Sequence, residues 1–86
     1  DISFEGFNLY PNPTKGEFTL NLTLVNTDKV SVQLYDARGR LIGEKNYFNT
    51  NINFSENIFF EKAGTGLYLV KITNGNKQTT RKLIIQ

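Results

Sequence analysis

The fold is decided by the stretch Gly64-Thr-Gly-Leu-Tyr-Leu-Val-Lys-Ile-Thr-Asn-Gly-Asn-Lys-Gln-Thr-Thr-Arg-Lys-Leu-Ile-Ile-Gln86. Residues 67–73 form a run rich in β-branched and aromatic side chains, and residues 79–85 form a second one. Between them, Asn74-Gly75 is the strongest short signal for a hairpin turn, because both residues tolerate a positive φ. The stretch therefore predicts a β-hairpin whose second strand runs almost to the last residue.

Charge is distributed unevenly along the chain. Residues 62–86 carry five cations and no carboxylate, whereas residues 1–61 carry eight acids against five bases. The net charge of +2 therefore hides a basic C-terminal hairpin on a mildly acidic body. A basic, apolar final strand could pair with another chain by strand addition, or place Arg81 and Lys82 against acidic groups. Recognition through this strand and plain folding are equally good interpretations.

Composition excludes most kinds of chemistry. The 86 residues make one domain with a modest core, and they include no Cys and no His. Serines therefore have no imidazole base, the carboxylates lie singly, and no Asp-x-Asp-x-Asp loop is present. No apolar run approaches the roughly 18 residues of a membrane span. We expect no catalytic, cofactor-binding or metal-binding residue, no membrane span and, given the small basic excess, no nucleic-acid partner.

The pattern of apolar residues predicts strands throughout. Residues 17–24 alternate perfectly between apolar and polar side chains, which is typical of a half-buried antiparallel strand. Shorter alternating runs occupy residues 30–34, 40–48 and 52–55, and residues 58–60 suggest a separate, more fully buried run. Turn signals recur every 8–12 residues or so, and no window shows helical spacing. The sequence predicts an all-β fold, a small antiparallel immunoglobulin-like β-sandwich of about seven strands.

Prolines, glycines and polar turn residues indicate where the strands begin and end. Residues 1–7 are predicted to be a linker from an upstream part of the protein, with the domain itself at residues 8–86. The prolines of Pro11-Asn-Pro13 remove two backbone donors and predict an extended or turning segment that seals a sheet edge. Asp36-Ala-Arg-Gly39 predicts a hairpin turn, since Asp can bond back to the backbone and Gly supplies a left-handed residue. Gly43 suggests a β-bulge.

Four pieces of sequence occur in an order and spacing that are specific together, although each is common alone. They are Leu9-Tyr-Pro-Asn-Pro13 with Gly16-Glu-Phe18, Val32-Gln-Leu-Tyr-Asp-Ala-Arg-Gly-Arg-Leu-Ile42, Gly66-Leu-Tyr-Leu-Val-Lys-Ile72 and Arg81-Lys-Leu-Ile-Ile85. This arrangement resembles the C-terminal sorting domain, type A, of proteins exported by the bacterial type IX secretion system. The resemblance covers residues 8–86. The candidate recognition residues that it implies are Tyr10, Pro11, Asn12, Pro13, Gly16, Tyr35, Asp36, Gly39, Arg40, Gly66, Tyr68, Lys71, Arg81, Lys82, Leu83, Ile84 and Ile85.

The resemblance implies a function and a set of partners. Domains of this family form seven-stranded immunoglobulin-like sandwiches at the C-terminus of larger cargo proteins of Gram-negative bacteria. The folded domain is recognised in the periplasm by shuttle proteins and the outer-membrane translocon, and a sortase-like peptidase usually removes it before its first strand. The cargo then becomes extracellular or is held at the cell surface. This chain departs from many relatives by ending in Leu-Ile-Ile-Gln86 instead of a basic residue.

Other interpretations remain open from the sequence. The tyrosines Tyr35 and Tyr68 are expected to be packed rings with hydroxyls at the rim rather than ligand platforms. A small immunoglobulin-like or carbohydrate-binding accessory module of a secreted enzyme is the alternative function, and a purely structural spacer is a third. A dimer formed by strand exchange is a further possibility that the sequence does not decide.

Overall fold

The chain folds into two stacked β-sheets. The computed structural model describes residues 4–48 and 50–86, and within these ranges it contains seven strands and no helix. The predicted all-β class is therefore confirmed. The strands are β1 (Asn8–Tyr10), β2 (Glu17–Thr23), β3 (Lys29–Asp36), β4 (Leu41–Phe48), β5 (Asn53–Phe59), β6 (Gly66–Asn74) and β7 (Lys77–Ile85).

The strands are distributed over a three-stranded and a four-stranded sheet. The strand orders are β1-β2-β5 and β4-β3-β6-β7, and every pairing between named strands is antiparallel. The chain crosses between the sheets after β2, β4 and β5, whereas β1 and β2, β3 and β4, and β6 and β7 are paired neighbours within one sheet. This is the predicted immunoglobulin-like β-sandwich, and it leaves β1 and β5 as edges of one sheet and β4 and β7 as edges of the other.

The core lies between the two sheets and is built by alternation along each strand. β2 shows the pattern most clearly, because Phe18, Leu20 and Leu22 are buried while their neighbours remain partly exposed. Each fully buried side chain of this kind contributes about 1.5–3 kcal/mol to folding. The buried apolar residues are Phe4, Phe18, Leu20, Leu22, Leu24, Val30, Val32, Leu34, Phe54, Ile58, Phe60, Tyr68, Val70, Ile72, Leu83 and Ile85.

The C-terminal hairpin is confirmed, but its turn lies one residue later than predicted. Asn74 still pairs with Lys77, so the connecting residues are Gly75 and Asn76. Asn74 is fully buried, and its Oδ1 accepts hydrogen bonds from the backbone of Val25 at 2.8 Å and of Asn26 at 3.1 Å. The side chain of Asn74 therefore anchors the β2–β3 loop instead of forming the turn.

The separate buried run predicted at residues 58–60 is wrong. Ile58 and Phe59 end the continuous strand β5, Phe60 follows it directly, and the alternation continues, with Ile58 buried, Phe59 51% exposed and Phe60 buried. Because β2 pairs with β5 over its whole length, the period of two is preserved through the polar residues Ser55 to Asn57. Three apolar residues in sequence do not make a fully buried strand where only one face meets the core.

The β3–β4 hairpin has the predicted turn and an irregularity next to the predicted bulge. Gly39 has φ of +87°, a left-handed conformation that closes the turn, and its N–H donates to the carbonyl of Asp36 at 2.9 Å. Leu34 pairs with Gly43 but Tyr35 pairs with Leu41, so one residue of β4 is extra at this point. The adjacent glycine lies against the buried ring of Phe60.

Part of the predicted linker packs against the sandwich. Phe4 is only 3% exposed and belongs to the core. The carbonyl of Glu5 accepts a hydrogen bond from the backbone N–H of Thr23 at 2.8 Å. This bond lies beside the pairing of β1 with β2 and ties the segment before β1 to β2. Residues 1–3 of that stretch lie outside the described residues.

We predict that Gly43→Ala destabilises the domain, because an added Cβ would lie 2.6 Å from a ring carbon of Phe60. Overpacking of this kind costs about 1–3 kcal/mol, measured as a lower free energy of unfolding in urea by circular dichroism. Gly64→Ala is the matched control, since nothing lies within 4 Å of its added Cβ. Equal unfolding midpoints for the two variants would show that the ring moves aside without cost.

Candidate recognition site

The candidate recognition residues come together at one end of the four-stranded sheet. Tyr35 on β3 pairs with Leu69 on β6, which in turn pairs with Lys82 on β7. The second, third and fourth sequence motifs therefore lie side by side, although they are far apart in the chain. Tyr10 does not join them, because it pairs with Thr19 in the other sheet.

The first motif closes the outer edge of the last strand. The side-chain amide of Asn12 donates to the carbonyl of Lys82 at 2.8 Å, and its Oδ1 accepts from the N–H of Ile84 at 3.0 Å. Thr14 continues the contact, since its N–H donates to the carbonyl of Ile84 and its carbonyl accepts from the N–H of Gln86, both at 2.8 Å. We call Asn12 and Thr14 the edge clip.

The edge clip confirms the predicted edge-sealing role of this motif and shows how it works. Pro11 and Pro13 offer no backbone donor, and both peptide bonds preceding them are cis. Thr14 is 2% exposed, and its hydroxyl accepts a hydrogen bond from the N–H of Gly16 at 3.1 Å. A strand added from outside along residues 82–86 would have to displace the edge clip, which limits the strand addition expected from sequence.

The final strand presents its residues alternately to the core and to solvent. Leu83 is fully buried and Ile85 is 5% exposed, so both act through packing. Ile84 is 43% exposed and lies on the outer face with Lys82, since alternate residues of a strand face the same side. Of this motif, Lys82 and Ile84 are therefore the residues that are exposed on the outer face.

Two cations of the basic hairpin lie over aromatic rings from the N-terminal segment. The guanidinium of Arg81 is 4.7 Å from the ring centroid of Phe7, and the ammonium of Lys77 is 5.2 Å from that of Phe4. Cation–π contacts at this range contribute about 0.5–1 kcal/mol where they are exposed. The predicted recognition role of Arg81 therefore competes with a structural one.

The predicted turn residues Asp36 and Arg40 bind each other. Oδ1 of Asp36 accepts hydrogen bonds from the backbone N–H groups of Arg38 and Arg40, each at 2.9 Å, and Oδ2 accepts from Nε of Arg40 at 2.8 Å. The hydrogen bond from the Arg40 backbone is the largest cause that lowers the pKa of Asp36. Arg40 is thus held in the turn by an ion pair.

Tyr35 and Tyr68 are both engaged within the chain. Tyr68 is 8% exposed, and its hydroxyl donates to the carbonyl of Gly64 at 2.8 Å, which confirms the packed ring predicted from the sequence. Tyr35 is half-buried on the outer face, and its hydroxyl donates to Oε1 of Gln33 at 3.0 Å. Gly66, two residues before Tyr68 on β6, pairs with Ile85 of β7.

Sequence reasoning missed several residues at this end of the sheet. Leu67 and Leu69 face outward between the chosen positions, and Leu41 of the neighbouring hairpin does the same. Their alternation with buried Tyr68 was the available signal, because residues two apart on a strand share a face. Asn74 was also missed, and its tertiary hydrogen bonds leave no trace in the local sequence.

In residues 4–48 and 50–86, no group of three His, Cys, Asp or Glu side chains is arranged to hold a metal ion. The same part of the chain has no helix that is long and apolar enough to cross a membrane.

We predict that Asn12→Ala lowers the free energy of unfolding by about 1–2 kcal/mol, because two hydrogen bonds to β7 are lost. Hydrogen exchange gives the more specific readout, since the N–H of Ile84 loses its acceptor and should exchange faster. Asn8→Ala is the control, an exposed asparagine on the adjoining strand β1. Unchanged exchange at Ile84 in Asn12→Ala would contradict the edge clip.

A pH series tests the turn. The pKa of Asp36 is lower in the folded state than in the unfolded state, where it is near 3.8. The ionised carboxylate therefore stabilises the fold at pH values above 3.8, and this stabilisation is lost as the pH falls through the pKa of the folded state. Asp36→Asn should therefore melt at a lower temperature than the parent at neutral pH, and the gap should close in acid. Asp28→Asn, in the exposed β2–β3 loop, is the control. A gap that is independent of pH would refute this role of the carboxylate.

Comparisons with known proteins identify the family of this chain. The family model described as Secretion system C-terminal sorting domain matches residues 8–86. A stretch of 78 residues is 32% identical to an ulvan lyase of Nonlabens ulvanivorans, and the match spans 90% of this chain but 14% of that protein. The resemblance seen in the motifs is therefore confirmed. The chain belongs to the family of secretion system C-terminal sorting domains, non-catalytic signals for type IX secretion that send proteins to the cell surface or beyond.

Proposed function

We propose that this chain directs a cargo protein, attached to its N-terminal side, across the outer membrane through the type IX machinery. The single observation that supports this most strongly is the family match over residues 8–86. The fold supports it further, because the second, third and fourth motifs lie side by side in the four-stranded sheet and Asn12 of the first motif binds its last strand. The signal would then be a folded surface read by shuttle proteins and by the outer-membrane translocon, with the periplasm as the compartment of transit.

The cargo is proposed to be a much larger protein. The ulvan lyase relative supports this, since the matched stretch covers only 14% of it. A lyase is the kind of cargo that this relative suggests. In that case the catalytic residues belong to the cargo, and the sorting domain contributes only the signal for export.

We propose that a sortase-like peptidase removes the domain upstream of Phe4. Residues 4–7 were expected to be linker, but Phe4 is buried and Glu5 is bonded to β2. A peptidase needs an extended, accessible segment, so residues packed in this way are poor substrates. The linker would then lie before Phe4, and the folded unit would run from Phe4 to Gln86.

We propose that the monomer is the exported form. A dimer made by exchanging β7 would have to break and re-form the hydrogen bonds that Asn12 and Thr14 make with residues 82–86. The alternative of a carbohydrate-binding module finds less support, since buried Tyr68 offers no face to a sugar ring.

An export assay tests the proposed function. Residues 1–86 are fused behind a signal peptide and a reporter in a host with a type IX system, and the reporter should reach the surface or medium. Removal of residues 82–86 should stop export, but it also removes core residues Leu83 and Ile85. Gly43→Ala is the control for this loss of stability, because it destabilises the fold at a site away from the final strand. A folded parent fusion that stays in the periplasm would refute the proposal.

A further inference from the structure

The outer face of the four-stranded sheet has an apolar end. Leu41, Leu67 and Ile84 are 52%, 46% and 43% exposed, and half-buried Tyr35 and Leu69 lie between them. We call these five residues the outer-face patch. They come from all four strands of the sheet, with Leu41 on β4, Tyr35 on β3, Leu67 and Leu69 on β6, and Ile84 on β7.

The pairing register makes the outer-face patch continuous. Tyr35 pairs with Leu41 on one side and with Leu69 on the other, and Leu67 pairs with Ile84. Side chains directly opposite each other on one face have Cβ atoms about 4.5–5.5 Å apart. The five side chains therefore form one connected surface, whereas exposed apolar residues on most proteins are scattered singly.

The opposite end of the same face is polar. There the outward residues include Ser31, Asn46, Thr73 and Gln78, with Phe48 at one corner. Folding does not require this difference between the two ends, because neither end of the outer face contributes to the core between the sheets. The apolar end is also where the sequence motifs converge.

Cations border the outer-face patch on the β6 and β7 side. Lys82 pairs with Leu69 within the patch, and Lys71 lies on the same face of β6, two residues further along. In the part of the chain that the structure describes, neither Lys71 nor Lys82 forms an ion pair with a carboxylate, unlike Arg40, which pairs with Asp36. On the β4 side, Glu44 is already engaged by Gln33 at 3.0 Å.

We propose that the outer-face patch is a docking surface for a protein that presents an apolar centre flanked by carboxylates, and that this partner belongs to the export machinery. The inference rests on the proposed function and adds the surface that is read. Apolar contact with Leu67 and Ile84 would supply affinity, and carboxylates opposite Lys71 and Lys82 would fix the orientation.

The size of the outer-face patch favours a transient protein partner over a second copy of the chain. Stable interfaces bury about 20–30 residues on each side, whereas the patch and its two lysines are seven residues. A contact of this size suits a receptor that must release the domain after each passage. A lipid surface is a weaker match, because segments that bind anionic membranes typically carry clusters of about 4–8 basic residues, whereas two lysines border the patch.

The test combines folded variants with the export assay. The double variant Leu67→Thr/Ile84→Thr removes the apolar centre and places threonine, which favours strands, at both positions. Ile52→Thr is its matched control, since Ile52 is 45% exposed outside the patch. Lys82→Glu tests the charge, and Lys29→Glu is its control at the far end of β3. Circular dichroism and urea unfolding establish that each variant is folded.

Secretion of the reporter should fall at least about tenfold for the double variant and for Lys82→Glu, which corresponds to 1.4 kcal/mol of lost interaction. The two controls should export like the parent. Parent-like export of the folded double variant would overturn the docking surface and leave the proposed function standing. Failure of the parent fusion itself would overturn both.

Two measurements on the purified chain test whether a second copy of the chain or a lipid surface binds the outer-face patch instead. Analytical ultracentrifugation detects a second copy, and sedimentation with vesicles of phosphatidylglycerol and phosphatidylcholine detects a lipid surface. A dimer, or vesicle binding, that disappears in Leu67→Thr/Ile84→Thr would overturn the proposal in favour of that occupant. A monomer that does not bind these vesicles, combined with the export loss, supports a protein partner.

Discussion

The structure depends on how the outer edge of β7 is closed. A strand at the edge of a sheet leaves a row of N–H and C=O groups without partners, which invites pairing with other chains. Here the edge clip of Asn12 and Thr14 occupies that row along residues 82–86. Because Phe4 and Phe7 also pack beside β7, both ends of the chain stabilise the same side of the sandwich.

Alternation lets this one strand serve the core and the surface together. The inward residues Leu83 and Ile85 are buried, while Lys82 and Ile84 face solvent on the outer face. The backbone groups of the outward residues are the ones that the edge clip holds, so their positions are fixed from the side. A surface for recognition is more specific when its side chains are held in place before binding, since less ordering remains to be done.

The sequence predicted those features that local patterns determine. Perfect alternation located β2, and the Asp36 to Gly39 turn closed as expected because its hydrogen bonds are made within five residues. Features set by distant contacts were not predictable in this way. Asn74 looked like a turn residue, but its buried hydrogen bonds to the β2–β3 loop keep it on β6. The packing of Phe4 is likewise a tertiary contact within an apparently structureless linker.

The motif residues divide into those that build the fold and those that the fold displays. Asn12, Asp36 and Tyr68 are engaged within the chain, whereas Lys82 and Ile84 are presented outward. The outer-face patch is contributed by four strands, and its members are adjacent only because the sheet pairs them. An unfolded chain would not present this surface, since residues 41 and 84 would then be far apart. A sorting signal of the kind that we propose therefore reports that the domain has folded.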